Sequence, residues 1–396
     1  MKPEGKKVLL LTQYFFPDIT AASFRMYELY KYLRKKDFKV IVVTSYPHRV
    51  ETDELEPLED VFRVKVNFPS YKNKLKYIYY YLEFVLKSLY LILAHRAFGA
   101  SVIIVSSPPI FVAIEAFVIS KIFHKKFLLD IRDLWPDSIA DLKKIRKTSF
   151  IYSFLKKIEI YLYRNADYVF CVSNPMKEYI EEYNKKVVVI YNGITISEYS
   201  KYCKKEFNNK VIQNRKPLRL IYAGNIGMAQ DLNFLFNAAE QFHNELEVFL
   251  IGSGLNKDVY EQQAQVQGIL NIHFLPPMRR ADLLEFIEEN SDALLLTVND
   301  GFAFEKTIPS KVFDYLLLNK PIIYHLKGEG KEILEQSKCG VYFELFSESF
   351  IGAIRTLKEN YSNLLLRAFE NNCNILKDFL REKQFQKIEK ILLTFF

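Results

Sequence analysis

Residues Glu305–Tyr324 read EKTIPSKVFDYLLLNKPIIY. In order they give a polar loop, an amphipathic helix and a short unbroken apolar run, Pro321–Tyr324. Such a run is the mark of a strand covered on both faces, so a helix feeding into it is half of a parallel β-α-β unit. The helix entry carries chemistry as well. Pro309 suits a first helical turn, where its missing N–H is an orphan anyway. The next N–H groups and Lys311 offer positive charge to an anion, with Ser310 beside them. Asp314 lies three residues after Lys311 and four after Ser310, on the same flank. A cation for a diphosphate and a carboxylate one turn further for ribose hydroxyls make a nucleotide diphosphate grip. An ordinary amphipathic helix with a proline start is the plainer reading of the same residues.

Working outward, the same alternation fills the chain. Val8–Leu11, Val40–Thr44, Val102–Val105, Phe127–Ile131, Tyr168–Val172 and Val187–Tyr191 read as buried parallel strands. A second series follows at Leu218–Ala223, Leu246–Ile251, Ile272–Leu275, Ala293–Val298, Pro321–Tyr324 and Val341–Phe343. The polar, lysine-rich stretch 197–216 between them reads as a linker. At 396 residues the chain is long enough for two cores. The expected architecture is α/β, with two doubly wound Rossmann-like domains facing across a cleft at the carboxyl ends of their strands. The domains expected are 1–200 and 201–375. Residues 376–396 are expected as a terminal helix packing back on the first domain.

Composition bounds the function. Apolar residues make up 49% and charged residues 26%, as in a soluble globular protein. A net charge of +8 suits phosphorylated substrates or an anionic membrane face. With no basic stripe interleaved with aromatics, nucleic acid is not expected as a partner. The four cysteines are widely spaced and the six histidines never fall in a ligand spacing. Neither a disulfide framework nor a metal site is expected, and a reducing, cytoplasmic compartment fits. The N-terminal apolar run ends in aromatics and Pro17 and reads as a first strand rather than a signal peptide. Tyr77–Ala94, YIYYYLEFVLKSLYLILA, is interrupted by Glu83, Lys87 and Ser88 and is short for a bilayer. With Lys72, Lys74, Lys76, His95 and Arg96 at its edges, it reads either as a core helix or as one lying in a membrane interface.

Four further loops follow strands, where ligands belong. In FPDITAAS, Phe16–Ser23, the small Ala21 and Ala22 allow close approach. Ser23 is the expected N-cap of a helix Phe24–Leu33, with Arg25 in its first turn. In LLDIRDLWPDS, Leu128–Ser138, Asp130, Arg132, Asp133 and Asp137 crowd a strand end beside Trp135, the only tryptophan. They read as a structural ion pair or as a carboxylate set against an acceptor hydroxyl. Tyr222–Gly227, YAGNIG, lacks the third glycine and the ribose acid of a dinucleotide fingerprint, which weakens a nicotinamide reading. Ile251–Gly254 reads as a tight turn. The backbone of Phe274–Met278 reads as a frame for a base edge or as a plain loop.

QYFFPDITAASFRMYELYKYL, SSPPIFVA, DIRDLWPDS, YAGNIGMAQDL and IPSKVFDYLLLNKPII occur in this order. Together they resemble the retaining GT-B glycosyltransferases of family 4, especially the colanic-acid-type and N-acetylfucosamine-type branch of bacterial surface polysaccharide synthesis. The resemblance spans Val8 to about Tyr324. Carried by motifs of both expected domains, it makes 1–200 the acceptor side and 201–375 the nucleotide-sugar side. It implies metal-independent transfer, with no cofactor, from a nucleotide diphosphate sugar, commonly of uridine, to a lipid-linked glycan at the cytoplasmic face of a membrane. It places Asp314 on the ribose, where the family usually has Glu. Thr307, Ser310 and Lys311 fall on the diphosphate, Gly224 near the leaving phosphate, and Asp133 with Arg132 on the acceptor side. Where the family carries a basic pair, Asn225 and Gln230 stand here, so Arg25 is expected to help Lys311 with phosphate charge. Glu305 and Asp314 flank eight residues rather than seven, which leaves the role of Glu305 open. A catalytically silent GT-B subunit and a nucleotide-sugar epimerase are the alternatives.

Overall fold

The computed structural model describes residues 6–47, 58–68, 74–204 and 217–396. The chain divides into two units: unit 1 is Met1–Asn192 with Arg381–Phe396, and unit 2 is Gly193–Leu380. The division thus falls at 192/193 and 380/381, not at 200/201 and 375/376.

Unit 1 runs β1 (Lys7–Leu11), α1 (Ala21–Lys35), β2 (Lys39–Ser45), β3 (Val61–Val64), α2 (Lys74–Ala94), β4 (Val102–Ser107), α3 (Ile110–Ile122), β5 (Lys126–Ile131), α4 (Asp137–Asp141), α5 (Phe150–Asn165), β6 (Tyr168–Cys171), α6 (Asn174–Glu181) and β7 (Val187–Val189). Its sheet is parallel, in the order β3-β2-β1-β4-β5-β6-β7. The order reverses direction beside β1, the switch point at which open α/β sheets form a crevice. Leu9, Val42, Ile103 and Leu128 are buried, which is why the strands read as continuous apolar runs. α1 starts at Ala21, earlier than expected. Its N-cap is Thr20, whose hydroxyl accepts from the Ser23 N–H at 3.1 Å, so Ser23 lies inside the first turn. The edge strand β3 escaped the sequence reading because it has only four residues, all half-buried.

Unit 2 runs α7 (Ile196–Tyr202), β8 (Leu218–Ala223), α8 (Phe234–Gln241), β9 (Leu246–Ile251), α9 (Lys257–Gln267), β10 (Ile272–Leu275), α10 (Arg280–Asn290), β11 (Ala293–Thr297), α11 (Phe302–Glu305), α12 (Lys311–Leu317), β12 (Ile322–His325), α13 (Glu329–Ser337), β13 (Gly340–Tyr342) and α14 (Ser347–Leu376). Its parallel sheet has the order β10-β9-β8-β11-β12-β13. The expected linker is in part the helix α7, opened by a capping box between Thr195 and Glu198. Its remainder, 205–216, and Lys72 lie outside the described residues.

The cysteine reading needs correction. Cys203, at the end of α7, and Cys373, on α14, form a disulfide with a Cα–Cα distance of 5.5 Å. They are 170 residues apart in sequence, a pairing that only the tertiary fold creates. Cys171 and Cys339 are buried free thiols.

After unit 2 the chain forms α15 (Arg381–Leu392), whose Phe385, Ile388 and Leu392 are buried in the core of unit 1 with Val8, Met26 and Leu29. Arg381 ties it to the Asn192 carbonyl at 2.8 Å.

Candidate functional site

In unit 2, two of the residues expected to form a nucleotide grip, Gly224 and Lys311, come together at the carboxyl end of β8. Gly224 follows that strand with φ +134°, a conformation that favours glycine. Lys311 lies directly against it: a Cβ on Gly224 would sit 2.4 Å from Lys311 Cε and 2.7 Å from Nζ. The ammonium rests over the Tyr222 ring, 3.8 Å from its centroid. Burial pushes the Lys311 pKa down to about 7, against the opposing pull of Asp314. A lysine held in this state gains charge when an anion arrives. The loop beneath is packed backbone on backbone, with Gly224 N–H donating to the Ile251 carbonyl at 2.8 Å and Ile226 N–H to that of Ser253 at 2.9 Å. A side chain on Gly252 would meet the Gly224 carbonyl at 1.9 Å, which explains the glycine there.

The helix entry differs in detail from expectation. α12 begins at Lys311 with Ser310 as N-cap, so Pro309 stands just outside it. The helix has only seven residues, so Lys311 is the principal source of charge and the dipole a minor one. The Ser310 side chain makes no cap bond. The Thr307 hydroxyl donates to the Ala303 carbonyl at 2.8 Å.

Asp314 has a partner that the sequence did not announce. Arg280, the first residue of α10, donates to both of its oxygens at 2.9 and 2.7 Å, and through Nε to Glu198 of α7 at 2.6 Å. Burial opposes the charge on Arg280, but Asp314 and Glu198 outweigh it and hold its pKa above the ordinary range. A bidentate arginine occupies one edge of the carboxylate and leaves the other lone pairs able to accept. The only signal for Arg280 in the sequence was its place just after β10.

The remaining donor-side candidates spread along the carboxyl edge. Asn225 Nδ2 faces Gln230 Oε1 at 3.5 Å, so this loop presents two neutral side chains and no basic pair at these positions. Glu305 is 3.9 Å from Lys327 Nζ, while Lys327 pairs more closely with Asp300 at 2.7 Å. Asp300 also accepts from buried His325 Nε2 at 3.0 Å. This Asp300–His325–Lys327 group joins two strand ends, Asp300 following β11 while His325 and Lys327 come from the end of β12, so no local spacing announces it. The Leu275 carbonyl, expected as part of a base frame, accepts from Lys257 Nζ at 2.9 Å and from Gly252 N–H at 3.1 Å.

In unit 1 the Leu128–Ser138 loop places its charges apart. Asp130 takes a two-point ion pair from Arg25, at 2.7 and 3.1 Å, and Arg25 also donates to the Ile190 carbonyl at 2.8 Å. Arg25 is 2% exposed. Its expected phosphate role is therefore corrected: its donors fasten α1 to β5 and to the end of β7. Arg132 turns to Ser106 Oγ at 2.8 Å and the Pro108 carbonyl at 2.9 Å, and burial lowers its pKa. Asp137 is engaged by Lys156 at 2.5 Å and Tyr152 at 2.7 Å. Asp133 is half-buried at a small cavity lined also by Ser107, Trp135, Glu159 and Tyr163. Burial pushes its pKa up to about 6, against the hydrogen bond from Ser138 and the charge of Arg132. Of the four acids and bases in the loop, Asp133 is the carboxylate poised to exchange a proton near neutrality.

Residues 22–198 match the family described as Glycosyltransferase Family 4. WcaI of Escherichia coli strain K12, named as a colanic acid biosynthesis glycosyl transferase, is 23% identical over 334 residues, covering 78% of this chain and 81% of WcaI. Among solved structures, the sucrose-phosphate synthase of Thermosynechococcus elongatus superposes with a TM-score of 0.74 at 13% identity, covering 98% of each chain. Anabaena Alr3699/HepE, solved with UDP-glucose, gives a TM-score of 0.69 at 16% identity, covering 98% of this chain and 99% of that one. At such identities the structural likeness speaks for the fold, and the two parallel-sheet Rossmann-like units are those of GT-B.

Proposed function

We propose that this chain, a glycosyltransferase of family 4 with the GT-B fold, moves a sugar with retention from a UDP-sugar to a lipid-linked glycan during bacterial surface polysaccharide synthesis. The observation that carries the donor side is the approach of Lys311 to Gly224, with Asp314 one turn further along α12. Lys311 meets the diphosphate over the glycine turn. Asp314, oriented by Arg280, accepts from ribose hydroxyls. The WcaI name and the UDP-glucose complex of HepE support polysaccharide synthesis and the nucleotide.

Most of the rate then comes from stabilising charge on the departing diphosphate. Lys311 meets that charge as an ammonium. In front-face substitution the departing phosphate takes the acceptor hydroxyl's proton. Asp133 orients that hydroxyl and Arg132 fixes the surrounding loop. Metal independence and the site of action, the cytoplasmic face of the inner membrane, belong to the same reading.

Calorimetry with UDP, GDP and their sugars, without and with a chelator, tests it. Chelator-insensitive binding of UDP supports the reading. Binding of neither nucleotide rejects the donor assignment. The neutral Asn225–Gln230 loop favours one alternative, a nucleotide-sugar-binding subunit without turnover. Sugar transfer by purified protein excludes it.

A further inference from the structure

Helices α2, α3 and α5 cross from β3 to β4, from β4 to β5 and from β5 to β6, always in the same direction along the sheet. Right-handed crossovers therefore lay all three on one face of unit 1. They form a continuous layer. Tyr81 meets Phe111 at 6.3 Å between ring centroids, Phe117 meets Tyr161 at 5.4 Å, and Ser88 Oγ donates to Glu115 at 2.8 Å. The layer's inner side is core, as Tyr80, Phe84 and Ile119 show.

Its outer side is apolar as well. On α2, Leu86 is 67% and Tyr90 77% exposed; on α5, Phe150 is 82% and Ile151 61% exposed. A helix covering a sheet ordinarily turns polar residues to water. Exposed apolar area of this extent marks an interaction surface.

The charges identify what it meets. Every carboxylate on the three helices, Glu83, Glu115 and Glu159, is buried. The exposed charges among their described side chains are all positive, including Lys76, Lys87, Lys121 and Lys157. Lys143, Lys144, Arg146 and Lys147, also exposed, lead directly into Phe150. The exposed aromatic and leucine side chains of these three helices are accompanied only by cations among the described exposed charges there, while exposed Glu178 on the neighbouring α6 and Glu182 at its C-cap bound the face. This is the composition of a surface that lies in a head-group boundary. Among the described residues no helix is long and apolar enough to cross a membrane.

We propose that the α2–α3–α5 face docks on an anionic lipid bilayer, its aromatic and leucine side chains entering the head-group boundary and its cations meeting lipid phosphates. This places the membrane of the proposed function on one named surface. It rests on that reading only for its purpose, delivery of a lipid-linked acceptor.

The test is co-sedimentation of the full chain with phosphatidylglycerol/phosphatidylethanolamine vesicles and with neutral phosphatidylcholine vesicles. The wild type is expected to sediment with the anionic vesicles and to be released by salt. Leu86→Gln/Tyr90→Ser, Phe150→Ser/Ile151→Ser and Lys143→Glu/Arg146→Glu, each checked for unchanged melting, are each expected to bind at least roughly tenfold more weakly. Equal binding by wild type and variants overturns the proposal. So does a concentration-dependent dimer abolished by the same changes, which would make a second copy the occupant. Turnover on detergent-dispersed acceptor separates the two readings. Docking variants keep it while losing turnover on vesicle-borne acceptor, whereas vesicle binding without any turnover supports docking and rejects the enzymatic reading.

Discussion

Arg280 grips both carboxylate oxygens of Asp314 and, with its third nitrogen, reaches Glu198 on α7. One guanidinium thus fixes the proposed ribose acceptor and joins three helices of unit 2. Arg280→Ala leaves two partly buried carboxylates facing each other. It is expected to cost about 1–3 kcal/mol in urea unfolding, less than a fully buried pair because the groups keep some solvent. It should also raise the donor KM. Arg280→Lys keeps the charge but not the fork, so it should restore stability more than KM. Equal recovery of both would reduce Arg280 to a structural clamp.

Lys311, with its pKa lowered to about 7, is mostly neutral in the free protein at pH 8. A bound diphosphate restores its charge, so UDP binding at pH 8 should take up close to one proton. Calorimetry in buffers of different ionisation enthalpy reads this directly, and Lys311→Met should abolish the uptake along with most of the affinity. The sign for folding is fixed too. The unfolded lysine titrates near 10.5, so between pH 7 and that value the unfolded chain holds the extra proton. The lysine's contribution to stability of the ligand-free protein should rise with pH across that window.

Asp133 is shifted upward, from an ordinary 3.8 to about 6. Here the folded state holds the extra proton between the two values, so its contribution to stability falls as pH rises from about 4 to 6 and stays low above. Asp133→Asn should stabilise by about 1 kcal/mol at pH 8 and be neutral near pH 3. It should cut turnover more than UDP affinity, and remove an acidic limb near pH 6 from the rate profile. Parallel losses in turnover and affinity would count against an acceptor-side role.

Gly224→Ala and Gly252→Ala should separate function from folding. At Gly224 the new methyl strikes the flexible end of Lys311, so a loss of about 1–2 kcal/mol in stability, from backbone strain, should accompany a larger loss of UDP binding. At Gly252 the obstacle is the Gly224 backbone carbonyl, and instability should dominate. Melting curves and titrations of the two variants make the comparison.

The Cys203–Cys373 link ties α7 to α14. Cys203→Ser should destabilise unit 2 by about 2–4 kcal/mol, visible as a lower urea midpoint. Reductant should bring the wild type to the variant's midpoint. An unchanged midpoint would show that the two thiols are not joined in solution.

The sheet strands were legible because both faces are covered, which turns each into an apolar run bounded by helical periodicity. β3 was not, since a half-buried four-residue edge carries no such run. The placing of Lys311 and Asp314 on one short helix after a loop was legible because loop-to-helix spacing is local, whereas the approach of Lys311 to Gly224 comes from the tertiary fold. Arg25 was misread for the opposite reason. Its place in the first turn of a helix after a strand suggested a free cation for phosphate, whereas Asp130, 105 residues away, draws it inward. Arg280 and the disulfide were invisible on the same ground: their partners lie far off along the chain, and no spacing rule connects them. Ser23 shows the finer limit, because Thr20 offered the same capping chemistry three residues earlier.

Unit 2 is one uninterrupted segment, while the core of unit 1 includes Phe385, Ile388 and Leu392 of α15, which follows unit 2. On the ribosome, unit 1 is therefore begun before unit 2 and completed after it. Its α1 face stays uncovered while all of residues 193–380 are polymerised, a delay on the order of ten seconds or more at roughly 5–20 residues per second. Vectorial synthesis, which ordinarily lets the leading domain mature first, here favours the inserted one. The nascent chain must keep an unfinished apolar surface from aggregating until α15 emerges.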